Sequence, residues 1–362
     1  MSSPPAAHVQ HILTDEAQDI YDGHPERTTV YANFAKICSK MKVQRGFFSG
    51  SHPPHLHKVF CQKAGVSPLI RVIRASTDRP ELGYHVHTLP QSDITKWESM
   101  KRLTAQLQTQ LRPEERIVVF FMSSSECDTL SIETGCAKYH SQLPSIGDTK
   151  AYNLDLWKRG ETSVLAGTTA FQQGVDYPYI AFVLYFEQAY GMIGFAQGAG
   201  CGGRRGRHAH VIILAQVNTH FILPITTKNS IQDVGCKVHF EELKHNVTRC
   251  YREMLLETMD GPSNALTCLT IPGCNICGVC DPSSAAATFI RTAVDTPLKV
   301  SPAKRVRLPV PPTVILGSDD EYGVDEFTAD MAFAMDTVSA PQVRFFLSLS
   351  LIILNRPTSH QM

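Results

Sequence analysis

The chain has 362 residues, with 34 basic and 34 acidic side chains and 43% hydrophobic residues. That is room for two modest domains with packed cores plus a tail, and a zero net charge neither demands nor excludes nucleic acid, since a groove can be basic locally. The first eleven residues carry neither a basic region nor an apolar core, so a signal peptide is excluded there and an intracellular protein is expected. The apolar run from Phe345 to Leu354 is half of the about 20 residues that a spanning helix needs. No membrane contact is expected, and the run reads as a sticky tail end or a gene-model artefact.

In chain order, His11 to Leu13 reads as a strand that runs into Thr14-Asp15-Glu16-Ala17-Gln18. An aspartate at a strand end can hold Mg²⁺ and a neighbouring glutamate can orient an attacking water, although such a pair also caps helices. A second strand, near Gly46 to Phe48, leads into Ser49-Gly50-Ser51-His52-Pro53-Pro54, and a third, near Val72, into Arg79-Pro80-Glu81-Leu82-Gly83-Tyr84. From 93 to 115, Ile94, Trp97, Met100, Leu103, Leu107 and Leu111 fall at three/four spacing, which predicts an amphipathic helix ended near Arg112-Pro113. Arg116 to Met122 is a buried strand followed by a serine loop, Ser123 to Cys127. Further short apolar runs stand at Ser163 to Ala166, Ile180 to Phe186 and His210 to Leu214. Such runs, separated by helical or loop segments, predict a parallel sheet with function at the strand ends.

Eleven cysteines is an odd number, and five of them crowd between Cys250 and Cys280. In a reducing compartment that crowding favours metal over disulfides. Tetrahedral Zn²⁺ takes four thiolates, and a C-x-x-C turn lets two of them chelate one ion. Cys250, Cys277 and Cys280 take three places, and the fourth falls to Cys268 or Cys274. From Pro282 onward, Ser, Ala, Pro and short charge blocks predict disorder. Within that tail Lys304, Arg305 and Arg307 form a weak basic import signal.

Gly167-Thr168-Thr169-Ala170-Phe171-Gln172-Gln173-Gly174-Val175-Asp176-Tyr177-Pro178, followed by Gln197-Gly198-Ala199-Gly200-Cys201-Gly202-Gly203-Arg204-Arg205-Gly206, resembles the A-T-x-A-F-x-x-G-[IV]-D-x-P and Q-x-x-G-R-x-G-R motifs of RecQ-type DNA helicases of superfamily two. The segments at Asp15, Ser49, Arg79, Tyr139-His140-Ser141-Gln142-Leu143 and Trp157-Lys158-Arg159-Gly160 follow the same family order, in a divergent, fungal-like branch. The resemblance implies an α/β fold: a partial first RecA-like lobe (1–92), a second RecA-like lobe with a parallel sheet (93–222), a zinc-binding helical subdomain (223–282) and a disordered tail (283–362). It implies ATP-dependent 3′ to 5′ DNA unwinding in recombination and repair, in the nucleus, with DNA as partner and ATP, Mg²⁺ and structural Zn²⁺ as cofactors. Asp15 and Glu16 would handle Mg²⁺ and water, and Arg204 would face the γ-phosphate as a finger. Gln197, Gly174 and Asp176 would lie at the nucleotide, and Ser49, His140, Thr168 and Thr169 near the nucleic acid.

Two features depart from that pattern. No G-x-x-x-x-G-K-[ST] phosphate loop occurs in the sequence, and Gly135-Cys136-Ala137-Lys138 lacks both the first glycine and the final Ser/Thr. Cys201 stands where the family has its first arginine. The expectation is an N-terminally truncated chain with negligible ATPase activity by itself. Its alternatives are a non-catalytic zinc-containing DNA-binding or interaction module, or a truncated gene product.

Overall fold

The computed structural model describes residues 11–22, 36, 43–89, 93–172, 175–216, 233 and 235–295, and the backbone of 351–355; of 93–95 and 295 only the backbone is described. Two sheets organise these residues. The larger has six parallel strands in the order β4 (Leu82–Thr88), β9 (Ala209–Ala215), β8 (Ile180–Phe186), β5 (Arg116–Phe120), β7 (Val164–Gly167) and β6 (Ala137–Tyr139). Parallel strands need crossovers that cover both faces, so each inner strand must be apolar on both sides. Every residue of β5 is buried. Alternate side chains go to opposite faces. Ile117, Val119, Leu184 and Ile212 join one core, with Met100, Leu103 and Leu107 from α3 (Asp93–Gln108) and Leu130 from α4 (Ser124–Thr134). Val118, Phe120, Val183 and Val211 join the other, with Trp157 of α5 (Lys150–Arg159) and Phe195 of α7 (Met192–Ala199).

Local chemistry sets several helix ends. Ser123 forms a capping box with Glu126 at the start of α4, so the expected serine loop is a helix N-cap. The helix expected over 93–115 stops at Gln108. Arg116, buried at the start of β5, donates to the carbonyls of Trp157 (2.6 Å) and Lys158 (3.2 Å), two of the last acceptors of α5.

The smaller sheet carries β1 (His11–Thr14) parallel to β2 (Gln44–Phe48). β3 (Arg71–Arg74) joins them through β10 (Leu351–Asn355), which runs antiparallel to both of its neighbours. One face packs Phe47 against Ala17, Ile20 and Tyr21 around α1 (Asp19–Asp22) and against Val59 and Phe60 of α2 (His57–Ala64). Leu13 (67%), Val72 (39%) and Ile73 (40%) remain exposed.

Three placements differ from the sequence expectations. β4 lies inside the 1–92 range, yet it pairs with β9 over seven residues in the larger sheet, because Leu82, Tyr84 and Leu89 find their burial there. Residues 285–295, expected to be disordered, form α10 (Ala285–Asp295), which packs Ile290, Ala293 and Val294 into the core beside α3. Apolar residues one turn apart outweigh a composition rich in Ala and Ser. The apolar run near the C-terminus supplies the strand β10.

Candidate nucleotide cleft and cysteine cluster

A cleft of 1110 Å³ opens between the two sheets. Asp15, Glu16, Ser49 and Arg79 line one side, and Asp176, Gln197 and Arg204 the other. Six sequence-predicted site residues therefore share one cavity. Gly174 lies outside the described residues.

The first wall is a hydrogen-bonded unit. Asp15 Oδ1 accepts the Glu16 backbone N–H at 2.9 Å, and Glu16 holds a left-handed backbone (φ 47°) where the strand turns into α1. Gln18 is fully buried; its amide donates to Glu16 Oε2 at 2.6 Å and its carbonyl oxygen accepts from the Ser49 hydroxyl, which in turn accepts the Ser51 N–H at 3.2 Å. The acidic pair and the serine turn are thus joined through Gln18, the position where the resembling family has histidine.

On the second wall Arg204 stands in a short 3-10 turn, Arg204–Gly206, entered through Gly203 at φ 64°. Its guanidinium donates to Asp176 Oδ1 at 2.5 Å. Cys201, at the departed arginine position, is buried, and burial pushes its thiol up to about 11 against the opposing pull of Arg204, so it carries no charge at neutral pH. A cation nevertheless reaches this loop. Arg79 donates to the carbonyls of Gly200 (3.3 Å) and Gly202 (3.0 Å), on either side of Cys201, and pairs with Glu81. Arg79 stood in a recognised motif, but nothing in its spacing said that it would cross to the glycine loop. Arg207 lies outside the cleft lining, over the Tyr179 ring at 4.3 Å and beside Glu114.

His140, Thr168 and Thr169 follow the adjacent strands β6 and β7 and do not line the cleft. His140 is 3% exposed, and its Nε2 sits 3.2 Å from Asp128 Oδ1. Burial pushes the Asp128 carboxyl up, but hydrogen bonds from Lys138 and His140 outweigh it and hold the group below its ordinary range. Thr168 donates its N–H to Tyr139 O at 3.2 Å, and its hydroxyl accepts the Ala170 N–H. Thr169 opens the short helix α6 (Thr169–Gln172).

The cysteine region joins α8 (Lys237–His245) and α9 (Tyr251–Met259) to a loop that ends at Cys280. The sulfurs of Cys250, Cys268, Cys277 and Cys280 all lie within 4.8 Å of one another, with Cys250 to Cys268 at 3.5 Å and Cys250 to Cys277 at 3.9 Å. Cys274 points away, its Sγ on the Cys268 carbonyl at 3.0 Å. The geometry therefore selects Cys268 over Cys274. Thiol contacts from Cys250 and Cys268 drive the Cys277 thiol far below its ordinary range, while burial pushes Cys280 up to about 12. Four thiolate-capable donors at this separation fit a tetrahedral soft cation.

The helicase conserved C-terminal domain matches residues 96–206. The ATP-dependent DNA helicase Q1 of Mus musculus is 27% identical over 200 residues, 54% of this chain and 30% of the mouse protein. The helicase hus2/rqh1 of Schizosaccharomyces pombe is 22% identical over 57% of this chain and 16% of its own length. Over this region the chain is similar to RecQ-type DNA helicases. The chain spans about 30% of the length of the Q1 relatives it matches. Among solved structures, a variant of S. cerevisiae Dbp5 bound to RNA and ADP BeF3 aligns with TM-score 0.47 and 14% identity over 58% of this chain and 54% of that one. Among the described residues no helix is long and apolar enough to cross a membrane.

Proposed function

We propose that this RecQ-like chain forms the arginine-bearing side of an ATP-dependent DNA-unwinding site, in the nucleus, in recombination and repair. The observation that carries the reading is the shared cleft, with Asp15 and Glu16 on one wall and Arg204 on the other. Bound there, ATP with Mg²⁺ supplies the phosphoryl transfer that drives motion. Asp15 would hold the metal, directly or through water, and Glu16, held in place by Gln18, would orient the attacking water. Arg204, now paired with Asp176, would offset phosphate charge, and Gln197, Asp176 and Gly174 would border the nucleotide. Ser49, His140, Thr168 and Thr169 serve the nucleic-acid track, although the burial of His140 limits it to positioning that edge. Cys250, Cys268, Cys277 and Cys280 would hold a structural Zn²⁺. The import signal proposed at Lys304, Arg305 and Arg307 lies outside the described residues.

The sequence has no phosphate loop to grip ATP, so the 362-residue chain by itself is expected to show negligible ATPase activity. DNA-stimulated ATP turnover by the purified chain, abolished by Arg204→Ala, would sink that expectation. The same lack favours a second reading, a non-catalytic zinc-containing DNA-binding module. DNA binding that falls with salt, ignores ATP and disappears on zinc chelation supports it. Failure to bind DNA at low salt counts against both.

A further inference from the structure

The connection between the sheets runs from β3 to β4, residues 75–81. A connection of this kind is where two lobes would hinge, because a few loop residues can absorb large backbone changes. Here it is gripped along its length by the cysteine module. Arg252, 0% exposed, directs its guanidinium onto the Asp78 carboxylate and onto the carbonyls of Arg79 (2.9 Å), Leu82 (2.6 Å) and Asn275 (3.2 Å). At the other end of the same helix, Asp260 accepts from the Thr77 N–H (2.8 Å) and the Ser76 hydroxyl (3.1 Å), and the Met259 carbonyl takes Arg74. The cysteine loop adds two backbone bonds, Asn275 N–H to Pro80 O at 2.7 Å and Gly278 N–H to Tyr84 O at 2.9 Å.

We propose that the four-cysteine module is a splint on the connection between the lobes, with Arg252 as its positioning residue. Helix α9 lies along the connection, tied to the thiol cluster by Cys250 at its start and to Ser76 and Thr77 by Asp260 at its end. A buried guanidinium shared among one carboxylate and several carbonyls makes charge-assisted bonds that must all break before residues 78–82 can turn. The splint reaches the cleft through Arg79. Its carbonyl is held by Arg252, and its side chain holds Gly200 and Gly202, next to Arg204. A metal bound by the thiols therefore fixes the angle between the walls and the loop that presents Arg204. The metal arm of this inference rests on the zinc reading given above; the Arg252 arm stands on geometry alone.

Hydrogen exchange on the full chain tests both arms, with zinc content measured by atomic absorption in every sample. Removing zinc with 1,10-phenanthroline should speed exchange of peptides covering 75–84 and 274–280 by roughly tenfold. Strands β5 and β7 should keep their protection. Arg252→Gln should retain zinc and speed exchange over 75–84 by a similar factor. Arg252→Lys should not rescue it, since a compact ammonium cannot span the same acceptors. Unchanged exchange over 75–84 in zinc-replete Arg252→Gln overturns the splint. So does acceleration that appears only together with β5 and β7, which marks global loosening. Should Arg252→Gln fail to fold, Asp260→Asn removes the other grip and is read in the same way. A chain that binds no zinc overturns the metal arm, and the Arg252 variants then decide the splint by themselves.

Discussion

The two sheets carry similar short apolar strands but solve burial differently. β5 is buried on both faces, and its side chains divide between two cores. β3 leaves Arg71, Val72 and Ile73 exposed. A parallel sheet is stable when helices cover both faces, and only the larger sheet meets that condition among the described residues. The smaller sheet keeps one packed face, built on Phe47 and Phe60, and leans on its neighbours through Arg74 and the 75–81 connection. The residues lining the cleft come from both sheets, so a well-buried body and a weakly covered one must be held in register for that cleft to keep its shape. The cysteine module lies against the segment that joins them.

The largest effect should come from the module. Structural zinc contributes on the order of 10 kcal/mol of binding free energy in small peptides, so Cys277→Ser should release the metal and lower the thermal midpoint of the smaller sheet well before that of the larger. Calorimetry with and without chelator reads this directly. A single unchanged transition in both would mean that the thiols are ordinary buried cysteines and that the sheets share one stability.

Core truncations give the next contrast. Trp157 is fully buried, donates its indole N–H to Ile117 O and meets Phe171 edge-on, so Trp157→Ala should cost about 3–5 kcal/mol of global stability. Phe47→Ala removes an equally buried ring from the smaller sheet. There the loss should appear as local opening of β1 and β2 in hydrogen exchange, with little change in the unfolding of β5 and β7. Equal global losses would erase the distinction between the sheets.

The larger sheet was far more legible in the sequence than the smaller, for a physical reason. Runs such as Ile117 to Phe120 and Val183 to Phe186 are hydrophobic without interruption because both of their faces are buried. The glycine and arginine positions around Arg204 are likewise fixed by a turn that needs positive φ at Gly203. The cysteines were legible as a set, but only geometry selects Cys268 over Cys274, because spacing does not say which sulfur a loop turns outward. Arg252 and Arg79 were legible as charges and not as ties, since their partners are mostly backbone carbonyls, which any sequence supplies. α10 was missed because its apolar turn sits in a stretch rich in Ala and Ser.

Acid should separate the sheets next. Burial, reinforced by Arg74 and by His57 and His55, lowers His52 from 6.5 to about 3, and burial with His239 lowers His55 to about 4. Both histidines are neutral in the folded state and take up a proton more readily once unfolded. Their contribution is intact above pH 6.5 and is lost as the pH falls from there toward 4. For the deeply buried His52 the slope approaches ~1.4 kcal/mol per pH unit. His52→Gln should flatten the acid sensitivity of the smaller sheet between pH 6 and 4, measured by exchange of residues 44–48; an unchanged slope would assign it to other groups.

The smallest effect is the most discriminating about coverage. Val72 and Ile73 are 39% and 40% exposed, and β3 is paired through its backbone to β10. A surface substitution that leaves pairing intact stays within about 0.5 kcal/mol, and threonine keeps the β-branch that suits a strand. Val72→Thr should therefore leave the stability of the isolated chain unchanged in urea unfolding. The same change inside the larger sheet, Val118→Thr, places a hydroxyl inside a buried apolar cluster and should cost about 1–3 kcal/mol. If Val72→Thr were as costly as Val118→Thr, the exposed face of the smaller sheet would have to be covered in solution, and the contrast between the two sheets would concern what is bound there and not what is built.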